Sequence, residues 1–219
     1  MNVILFGATG MVGQAALLEC LDDPGVERVL AVGRQATGRE HPKLRDLVHA
    51  AFTDYTAVED QLRGYDACFF CLGVSSLGMK EAEYTRITYD FTLSAAQTLA
   101  RLNPGMAFLY VTGEGTDSTE QGRSWWARIK GRTENDLLKL PLAATMLRPG
   151  YIHPMRGIRA RHGLTRAAYV LGGPLFPLIR RLAPSHTTTS VQLAKAMLHI
   201  ARHGHPKRIL TTDDINAIA

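Results

Sequence analysis

The chain has 219 residues, of which 46% are hydrophobic and 21% are charged, so it is long enough to bury one large core, with or without a small lobe. Its three cysteines exclude a disulfide framework, and we expect Cys68 and Cys71 to be buried thiols on opposite faces of a strand rather than a metal or disulfide pair. No export signal follows Met1, so we predict a cytoplasmic protein.

Charge is distributed unevenly along the chain. The formal net charge is +5, but residues 1–120 sum to −7 and residues 121–219 sum to +12, with no acidic residue between Asp136 and Asp213. This polarity predicts an anionic partner for the C-terminal part, and a solvated basic surface is the alternative that the sequence leaves open.

Short apolar runs alternate with longer helical segments over the first two thirds of the chain. The predicted strands are Val3–Phe6, Val29–Val32, Ala67–Leu72, Ala107–Val111 and Thr145–Leu147. The predicted helices are Met11–Leu21, a segment around Tyr84–Arg101, and Gly122–Leu140. Strands and helices at this rhythm imply right-handed crossovers, so we predict the α/β class with a doubly wound parallel sheet.

The pattern changes after residue 150. Residues 151–188 are rich in Arg, Gly and Pro, and their apolar run Tyr169–Ile179 is far shorter than the roughly 20 residues that cross a bilayer. Ser190–Arg202 reads as an amphipathic helix with Ser190 as its N-cap. We therefore expect one domain over residues 1–219, in which residues 151–205 form a small, basic, mostly helical lobe.

The sequence GATGMVG, residues 7–13, lies directly after an apolar strand and directly before an amphipathic helix. Gly7 can make the tight turn out of the strand, Gly10 lets the backbone approach a pyrophosphate, and Gly13 lets the helix pack closely on the sheet. The helix start offers unpaired N–H groups and a positive dipole end to the anion. This context predicts a dinucleotide site.

The second predicted strand ends at Val32-Gly33-Arg34. At this point of a dinucleotide site an acidic residue holds the ribose 2′-hydroxyl, whereas an arginine accommodates a 2′-phosphate. Arg34 therefore favours NADP over NAD, although a plain surface charge is the alternative interpretation.

Six motifs follow one another along the chain, namely GATGMVG, VGR, CLG at Cys71–Gly73, YVTGEGTD at Tyr110–Asp117, WARIKGRTE at Trp126–Glu134 and LRPG at Leu147–Gly150. In the order and spacing of these motifs the chain resembles the short-chain dehydrogenase/reductase superfamily. More narrowly, the chain resembles the atypical members, namely the NAD(P)H-binding, NmrA-like and Tat-interacting-protein-like oxidoreductases. The resemblance covers roughly residues 1–150 and only loosely residues 151–219. It implies a Rossmann-type fold and a nicotinamide cofactor.

The resemblance also assigns contacts with the cofactor. It places Thr9 and the turn Gly10, Met11 and Val12 at the phosphates. It places Leu72 and Gly73 under the adenosine side, Asp54 near the adenine, and Pro149 and Gly150 beside the nicotinamide.

Enzymes of this superfamily use a Ser-Tyr-Lys set with the Tyr and Lys spaced YxxxK on one helix. Residues i and i+4 share a helical face, so the lysine binds the nicotinamide ribose and lowers the pKa of the tyrosine. Here the lysine is Lys130, but Trp126 occupies the tyrosine position, and an indole N–H does not exchange a proton at useful pH. Thr112 is the only hydroxyl near the serine position. Tyr151 is the best spare phenol near the nicotinamide, and His153 is a weaker candidate.

The two tryptophans are adjacent, and adjacent helical residues diverge by about 100°. We therefore expect Trp126 to face the cofactor, where it can stack on the nicotinamide or on a flat substrate, and Trp125 to point into packing or an interface. Core packing of both rings is the alternative.

Two functions remain open. The first is an NADP-binding oxidoreductase acting on a small, anionic or aromatic substrate that lies between the sheet edge and the basic lobe. The second is a catalytically inactive sensor or regulatory module that meets a protein, nucleic acid or membrane surface. We see no nucleic-acid motif, and peripheral membrane contact through Tyr169–Ile179 is less favoured than packing of that run on the domain or on a second subunit. The substrate and the oligomeric state are not predicted.

Overall fold

The computed structural model describes residues 1–158, 181 and 183–219. Its strands are β1 Asn2–Phe6, β2 Arg28–Gly33, β3 Leu44–Val48, β4 Ala67–Phe70, β5 Ala107–Val111, β6 Ala143–Arg148, β7 Tyr151–His153, β8 Thr187–Thr189 and β9 Ile209–Thr211. Its α-helices are α1 Met11–Asp22, α2 Glu81–Thr85, α3 Phe91–Leu102, α4 Trp125–Leu137, α5 Ser190–His203 and α6 Thr212–Ile218. A π-helical turn, Arg86–Asp90, joins α2 to α3, and 3₁₀ turns lie at Thr56–Leu62 and Pro184–His186.

Seven strands form one parallel sheet in the order β3-β2-β1-β4-β5-β6-β9, and β7 and β8 pair separately. The sheet grows outward from β1 in one direction through β2 and β3 and then in the other from β4. Ligands of open α/β sheets bind at such a switch point, outside the carboxyl ends of the strands. The predicted α/β, doubly wound parallel sheet is confirmed.

The core lies on both faces of this sheet because its central strands are apolar at consecutive positions. In β1, Val3 and Leu5 face a cluster that includes α1 and α5, whereas Ile4 and Phe6 face a cluster that includes α3 and the end of α4. A parallel sheet covered by helices on both faces requires this near-continuous apolar pattern. Cys68 lies in the second cluster, and Cys71 packs against the first.

Several boundaries differ from the sequence predictions. The strand predicted for Ala67–Leu72 ends at Phe70, so that Cys71 and Leu72 leave the sheet and turn toward the glycine-rich loop. The helix predicted to start at Gly122 starts at Trp125.

The predicted N-cap at Ser190 is wrong. Thr189 caps α5, because its Oγ1 accepts a hydrogen bond from the Gln192 N–H at 3.1 Å. The buried Ser190 hydroxyl instead accepts a hydrogen bond from the Met155 N–H at 3.0 Å, which ties residue 155 to the start of the helix.

Part of the predicted lobe at residues 151–205 lies outside the described residues, namely residues 159–180 and 182, which include the run Tyr169–Ile179 and the basic residues between 159 and 180. In the described part of this stretch, α5 packs on α1 and contributes Leu193 and Met197 to the main core. No helix in the ranges 1–158 and 183–219 has both the length and the apolar character to cross a membrane.

Candidate functional site

Gly7 and Gly13 hold the strand, turn and helix together. Gly7 has φ +78°, and a Cβ there would lie 2.7 Å from the backbone of Cys71 and Leu72. A Cβ on Gly13 would lie 2.0 Å from the carbonyl oxygen of Gly7. Neither position accepts a side chain without moving backbone, so both glycines serve the fold itself.

Gly10 differs from these two glycines. It is the N-cap of α1 with φ −78° and ψ 167°, a conformation that any residue adopts, and a Cβ there would meet only the Gly7 carbonyl oxygen, at 3.3 Å. The first turn of α1 carries no acidic side chain, so its N–H groups and dipole are not neutralised locally. Backbone conformation therefore does not require glycine at position 10, and the missing side chain leaves the N-terminus of α1 accessible to an anion such as a pyrophosphate.

A cleft of ≈ 410 Å³ opens between the ends of β1, β2 and β4, and we call it the β1–β2 cleft. It brings together several residues predicted at the cofactor, namely Gly7, Thr9, Arg34 and Leu72. The Arg34 side chain is exposed at this cleft and pairs with no carboxylate in the part of the chain that the structure describes. Gly73 is exposed and lies outside the lining.

Asp54 does not line the β1–β2 cleft. Its carboxylate accepts a hydrogen bond from the Thr56 N–H at 2.9 Å at the start of the 3₁₀ turn. The cleft is lined instead by Phe52, together with Gln35 and Thr37 from the loop after β2, none of which the sequence analysis singled out. Phe52 is a buried aromatic two residues before Asp54, which is the signal that could have identified it. The adenine contact of Asp54 stays a prediction.

A second cleft of ≈ 520 Å³ lies at the carboxyl ends of β5 and β6, and we call it the β5–β6 cleft. Its lining includes residues predicted at the catalytic centre and the nicotinamide, namely Thr112, Trp126, Pro149, Gly150 and Tyr151. The fold thus gathers these residues from three separate stretches of sequence.

Lys130 and Trp126 both approach this cleft from α4. The Lys130 ammonium donates a hydrogen bond to the Thr112 carbonyl oxygen at 2.8 Å and lies 3.6 Å from where a Cβ on Gly113 would be. Burial lowers the pKa of Lys130 to about 8. The Trp126 ring lies 3.1 Å from the Cβ position of Gly115, so that glycine makes room for the indole.

Trp125 lies elsewhere. Its ring packs edge-on against Tyr84 of α2, with 5.2 Å between ring centroids and an interplanar angle of 84°. The geometry therefore places one indole at the cleft and the other between helices, as expected for neighbours on one helix.

The Thr112 hydroxyl points toward a buried ion pair. Thr112 Oγ1 donates to Glu134 Oε1 at 2.7 Å, and Glu134 is fully buried. Arg148 Nε donates to both oxygens of this carboxylate at 3.1 Å. This network joins the ends of β5 and β6 to α4. Within it, the hydroxyl proton of Thr112 is hydrogen-bonded to the buried Glu134 carboxylate.

Tyr151 and His153 lie on β7, and both are half-buried. Burial raises the pKa of Tyr151 and lowers the pKa of His153. Tyr151 lines the β5–β6 cleft, whereas His153 does not.

Glu114 and His186 form a pair that the sequence analysis missed. Glu114 lines the β5–β6 cleft, and its Oε1 lies 2.5 Å from His186 Nδ1. Glu114 belongs to the motif YVTGEGTD, but the two residues are 72 positions apart, and only the fold brings them together.

A doubly wound sheet with a glycine-rich turn at its switch point and two clefts along one edge defines a Rossmann-type, dinucleotide-binding class of protein. Residues 3–116 match the model of the NAD dependent epimerase/dehydratase family, and the chain belongs to that family. The resemblance to the short-chain dehydrogenase/reductase superfamily is confirmed.

Three curated relatives are similar to the chain. The leucinostatins biosynthesis cluster protein T of Purpureocillium lilacinum is 28% identical over 147 residues, 64% of this chain and 52% of that protein. The mitochondrial protein FMP52 of Meyerozyma guilliermondii is 23% identical over 92% of this chain and 85% of its own length. Protein HTATIP2 of Rattus norvegicus is 23% identical over 69% of this chain and 62% of its own. The chain thus spans about half the length of the first of these proteins.

Among solved structures, the chain is similar to the enzyme WbmF of Bordetella bronchiseptica in complex with NAD⁺. The TM-score is 0.69 at 16% identity, and the match covers 99% of this chain and 76% of that one. At this identity the likeness shows the fold.

Proposed function

We propose that the chain is an NADP-preferring oxidoreductase of the atypical short-chain dehydrogenase/reductase type that reduces a small substrate in the β5–β6 cleft. The observation that carries this proposal is the glycine at position 10, the N-cap of α1, where the backbone conformation does not require glycine and a side chain would stand in the way of a pyrophosphate. The family is described as NAD dependent, and WbmF was solved with NAD⁺, so the preference for NADP is specific to our proposal.

The preference rests on Arg34. Its guanidinium is exposed at the β1–β2 cleft and finds no carboxylate among the described residues. An arginine in this place fits a 2′-phosphate, because its planar donors match phosphate oxygens. Residues Gly7 to Gly13 would hold the pyrophosphate, and Leu72 would lie against the adenosine.

The β5–β6 cleft supports the position of the nicotinamide and the substrate. A bound nicotinamide supplies hydride transfer. Lys130 would bind the ribose hydroxyls, and its positive charge favours a developing oxyanion. Trp126 offers a flat face on which an aromatic substrate can stack.

The tyrosine that normally moves the proton is replaced by Trp126. A quinone or flavin-like acceptor needs no proton from the protein at the hydride step, and for other acceptors water or Tyr151 is an available source. The basic C-terminal part supports a small anionic substrate.

The second candidate is a cofactor-binding sensor without catalysis. Two observations favour it. Trp126 occupies the position of the usual catalytic tyrosine, and the Thr112 hydroxyl donates its hydrogen bond to Glu134. Such a protein binds NADPH but transfers no hydride, and its basic surface meets a partner.

One experiment separates the two candidates. The purified chain is titrated calorimetrically with NADPH and NADH, and NADPH oxidation is then followed at saturation with menadione as acceptor. Tighter binding of NADPH followed by turnover supports the oxidoreductase. Binding without turnover supports the sensor, and the absence of binding rejects both.

We also propose that the chain is located in the cytoplasm. The relative from Meyerozyma guilliermondii is named as mitochondrial, so fractionation of cells that produce the chain is the deciding measurement.

A further inference from the structure

A rigid turn presents Glu114 at the β5–β6 cleft. Residues 113–116 form a β-turn in which the Thr116 N–H donates to the Gly113 carbonyl oxygen at 3.3 Å. Gly115 has φ +84° at the third position, where a type II turn requires glycine. The Thr116 hydroxyl donates to the same carbonyl oxygen at 2.7 Å, and the Glu114 N–H donates to the Pro149 carbonyl oxygen at 2.9 Å. The Glu114 backbone is therefore fixed between the ends of β5 and β6.

The two carboxylate oxygens of Glu114 have different surroundings. Oε1 lies 2.5 Å from His186 Nδ1, whereas Oε2 lies 2.6 Å from where a Cβ on Gly150 would be. Gly150 lines the β5–β6 cleft, so Oε2 lies at the cleft wall. The side chains of Glu114 and His186 are 49% and 63% exposed, so the histidine reaches bulk water. The pair connects the cleft with solvent.

The other polar groups near the cleft are less suited to exchange a proton. The Thr112 hydroxyl proton is used by Glu134, and the Lys130 ammonium donates to a backbone carbonyl. Among the described lining residues, Glu114 and Tyr151 carry ionisable groups. Burial raises the pKa of Tyr151 and so makes its hydroxyl a weaker acid. Glu114, in contrast, forms a hydrogen bond with the exposed imidazole of His186.

We propose that Glu114 is the proton donor for carbonyl reduction in this cleft and that His186 is a positioning residue that returns protons to it from water. This inference rests on the proposed oxidoreductase function. The carbonyl carbon receives a hydride, with both electrons, from NADPH, and the carbonyl oxygen receives the proton of the Glu114 carboxyl group, which yields an alcohol and NADP⁺. The His186 imidazole, which carries its proton on Nδ1, then passes that proton to the Glu114 carboxylate while its unprotonated Nε2 takes a proton from hydronium, which leaves water.

The test compares two acceptors, 4-nitrobenzaldehyde and menadione, with NADPH as the reductant. Glu114→Gln removes the acid but keeps the shape, so we expect the rate of aldehyde reduction to fall by about 10²-fold or more. The rate of menadione reduction and the Kd for NADPH should remain within about twofold of wild type, because neither depends on the donor. Glu27→Gln makes the same charge change at the start of β2, on the opposite edge of the sheet, and should leave all three values unchanged.

His186 is tested by chemical rescue. His186→Ala should lower aldehyde reduction, and added imidazole should restore it because a soluble base can replace the missing side chain. Imidazole should not restore Glu114→Gln, in which the donor itself is absent. A purely structural role of His186 predicts no rescue.

A measurement on the nucleotide-free protein tests the contact between Glu114 and His186. In ¹⁵N-histidine spectra of the free protein, the Nδ1 resonance of His186 should shift in Glu114→Gln and stay unchanged in Glu27→Gln. An unchanged resonance in Glu114→Gln would overturn the pairing.

Different results would overturn the role of Glu114 and the proposed oxidoreductase function. A wild-type protein that binds NADPH and reduces menadione but no aldehyde overturns the role of Glu114 and leaves the oxidoreductase standing. The same conclusion follows if Tyr151→Phe loses more aldehyde activity than Glu114→Gln. A protein that binds no NADPH overturns both proposals.

Discussion

At and beside the β1–β2 cleft, some residues are required by the packing of the chain and others are not. Gly7 and Gly13 are required by backbone contacts of 2.7 and 2.0 Å, which a Cβ would create. Gly10 has an ordinary conformation, and Arg34 is exposed at the cleft. Because the chain's own packing explains neither Gly10 nor Arg34, changes there should affect binding more than stability.

Arg34→Ala should weaken NADPH binding and leave NADH binding unchanged. A charge-assisted contact between the guanidinium and the 2′-phosphate contributes about 1.5–3 kcal/mol, which corresponds to roughly 10- to 100-fold in Kd. Calorimetric titration with both nucleotides measures the difference. Arg63→Ala removes an exposed arginine that precedes β4 at the other edge of the sheet and serves as the control. Equal affinities for NADPH and NADH in the wild type would remove Arg34 from the site.

Gly10→Val should abolish binding of both nucleotides in a protein that still folds. The backbone at residue 10 suits a branched side chain, and the one close contact, at 3.3 Å, needs a shift of only a few tenths of an ångström. Gly13→Val is the contrasting variant, because its Cβ would overlap the Gly7 carbonyl oxygen and the fold should be lost. Thermal unfolding by circular dichroism, followed by titration, distinguishes the two. A folded Gly10→Val protein that still binds would make the turn purely structural.

The glycine-rich turn could be predicted from sequence because its residues are consecutive and lie between a strand and a helix. The pairs Glu114–His186 and Glu134–Arg148 could not, because their members come from different elements that only the sheet order brings together. The hydroxyl of Thr112 illustrates the same limit, since its position in the sequence does not reveal that a buried carboxylate accepts its proton.

Helix α4 carries the tryptophan that lines the β5–β6 cleft and the lysine that donates to the carbonyl oxygen of Thr112 beside it. Trp126 lines the cleft, and Trp125 packs on Tyr84. We expect NADPH to quench the tryptophan fluorescence through Trp126, so Trp126→Phe should remove most of the change. Trp125→Phe should retain it and serves as the matched control. Equal quenching in the wild type and both variants would show that Trp126 does not meet the nicotinamide.

Trp126→Tyr would rebuild the four-residue Tyr-Lys spacing with Lys130 on α4. We expect this variant to reduce 4-nitrobenzaldehyde faster than the wild type, measured as NADPH oxidation. The gain should be small, because the Thr112 hydroxyl remains bound to Glu134 and cannot replace the missing serine.

The buried ammonium of Lys130 makes the stability of α4 and its surroundings depend on pH. Burial lowers the pKa of Lys130 to about 8, against 10.5 in the unfolded chain. Between these two values the unfolded state binds more protons, so the free energy of unfolding contributed by Lys130 rises with pH by up to about 3 kcal/mol. Lys130→Met should lack this rise. Urea unfolding of both proteins from pH 7 to 10.5 measures the difference, and parallel curves would contradict it.

The strand and helix rhythm of the first 150 residues could be predicted because the core strands are apolar throughout. Elements with weaker patterns were missed. In β3 only Leu47 is buried, and β7, β8 and β9 have three residues each, too few to show a period. The early end of β4 at Phe70 also has no sequence signal, since Cys71 and Leu72 are as apolar as the strand before them.

For the whole molecule, the uneven charge of the sequence has a structural consequence. Arg156 pairs with Glu19 and Asp22 of α1, and Arg202 of α5 pairs with Asp23. The basic C-terminal half is thus held against the acidic N-terminal half, and these pairs neutralise part of the charge polarity that the sequence shows. They are partly exposed, so each contributes little to stability by itself.

Charge that remains after this pairing should still attract anions. Lys195 and His199 lie exposed on α5, beside the Arg202 pair, and residues 159–180 add further arginines to the same half of the chain. We therefore expect binding to vesicles that contain phosphatidylserine at an ionic strength of about 0.01 M, where the Debye length is about 30 Å, and release at about 0.15 M, where it is about 8 Å. Flotation with vesicles of neutral lipid is the control, since interfacial insertion of an apolar run would persist in high salt and on neutral lipid. If the protein stays unbound at low ionic strength, the basic surface contributes to solubility and not to a partner.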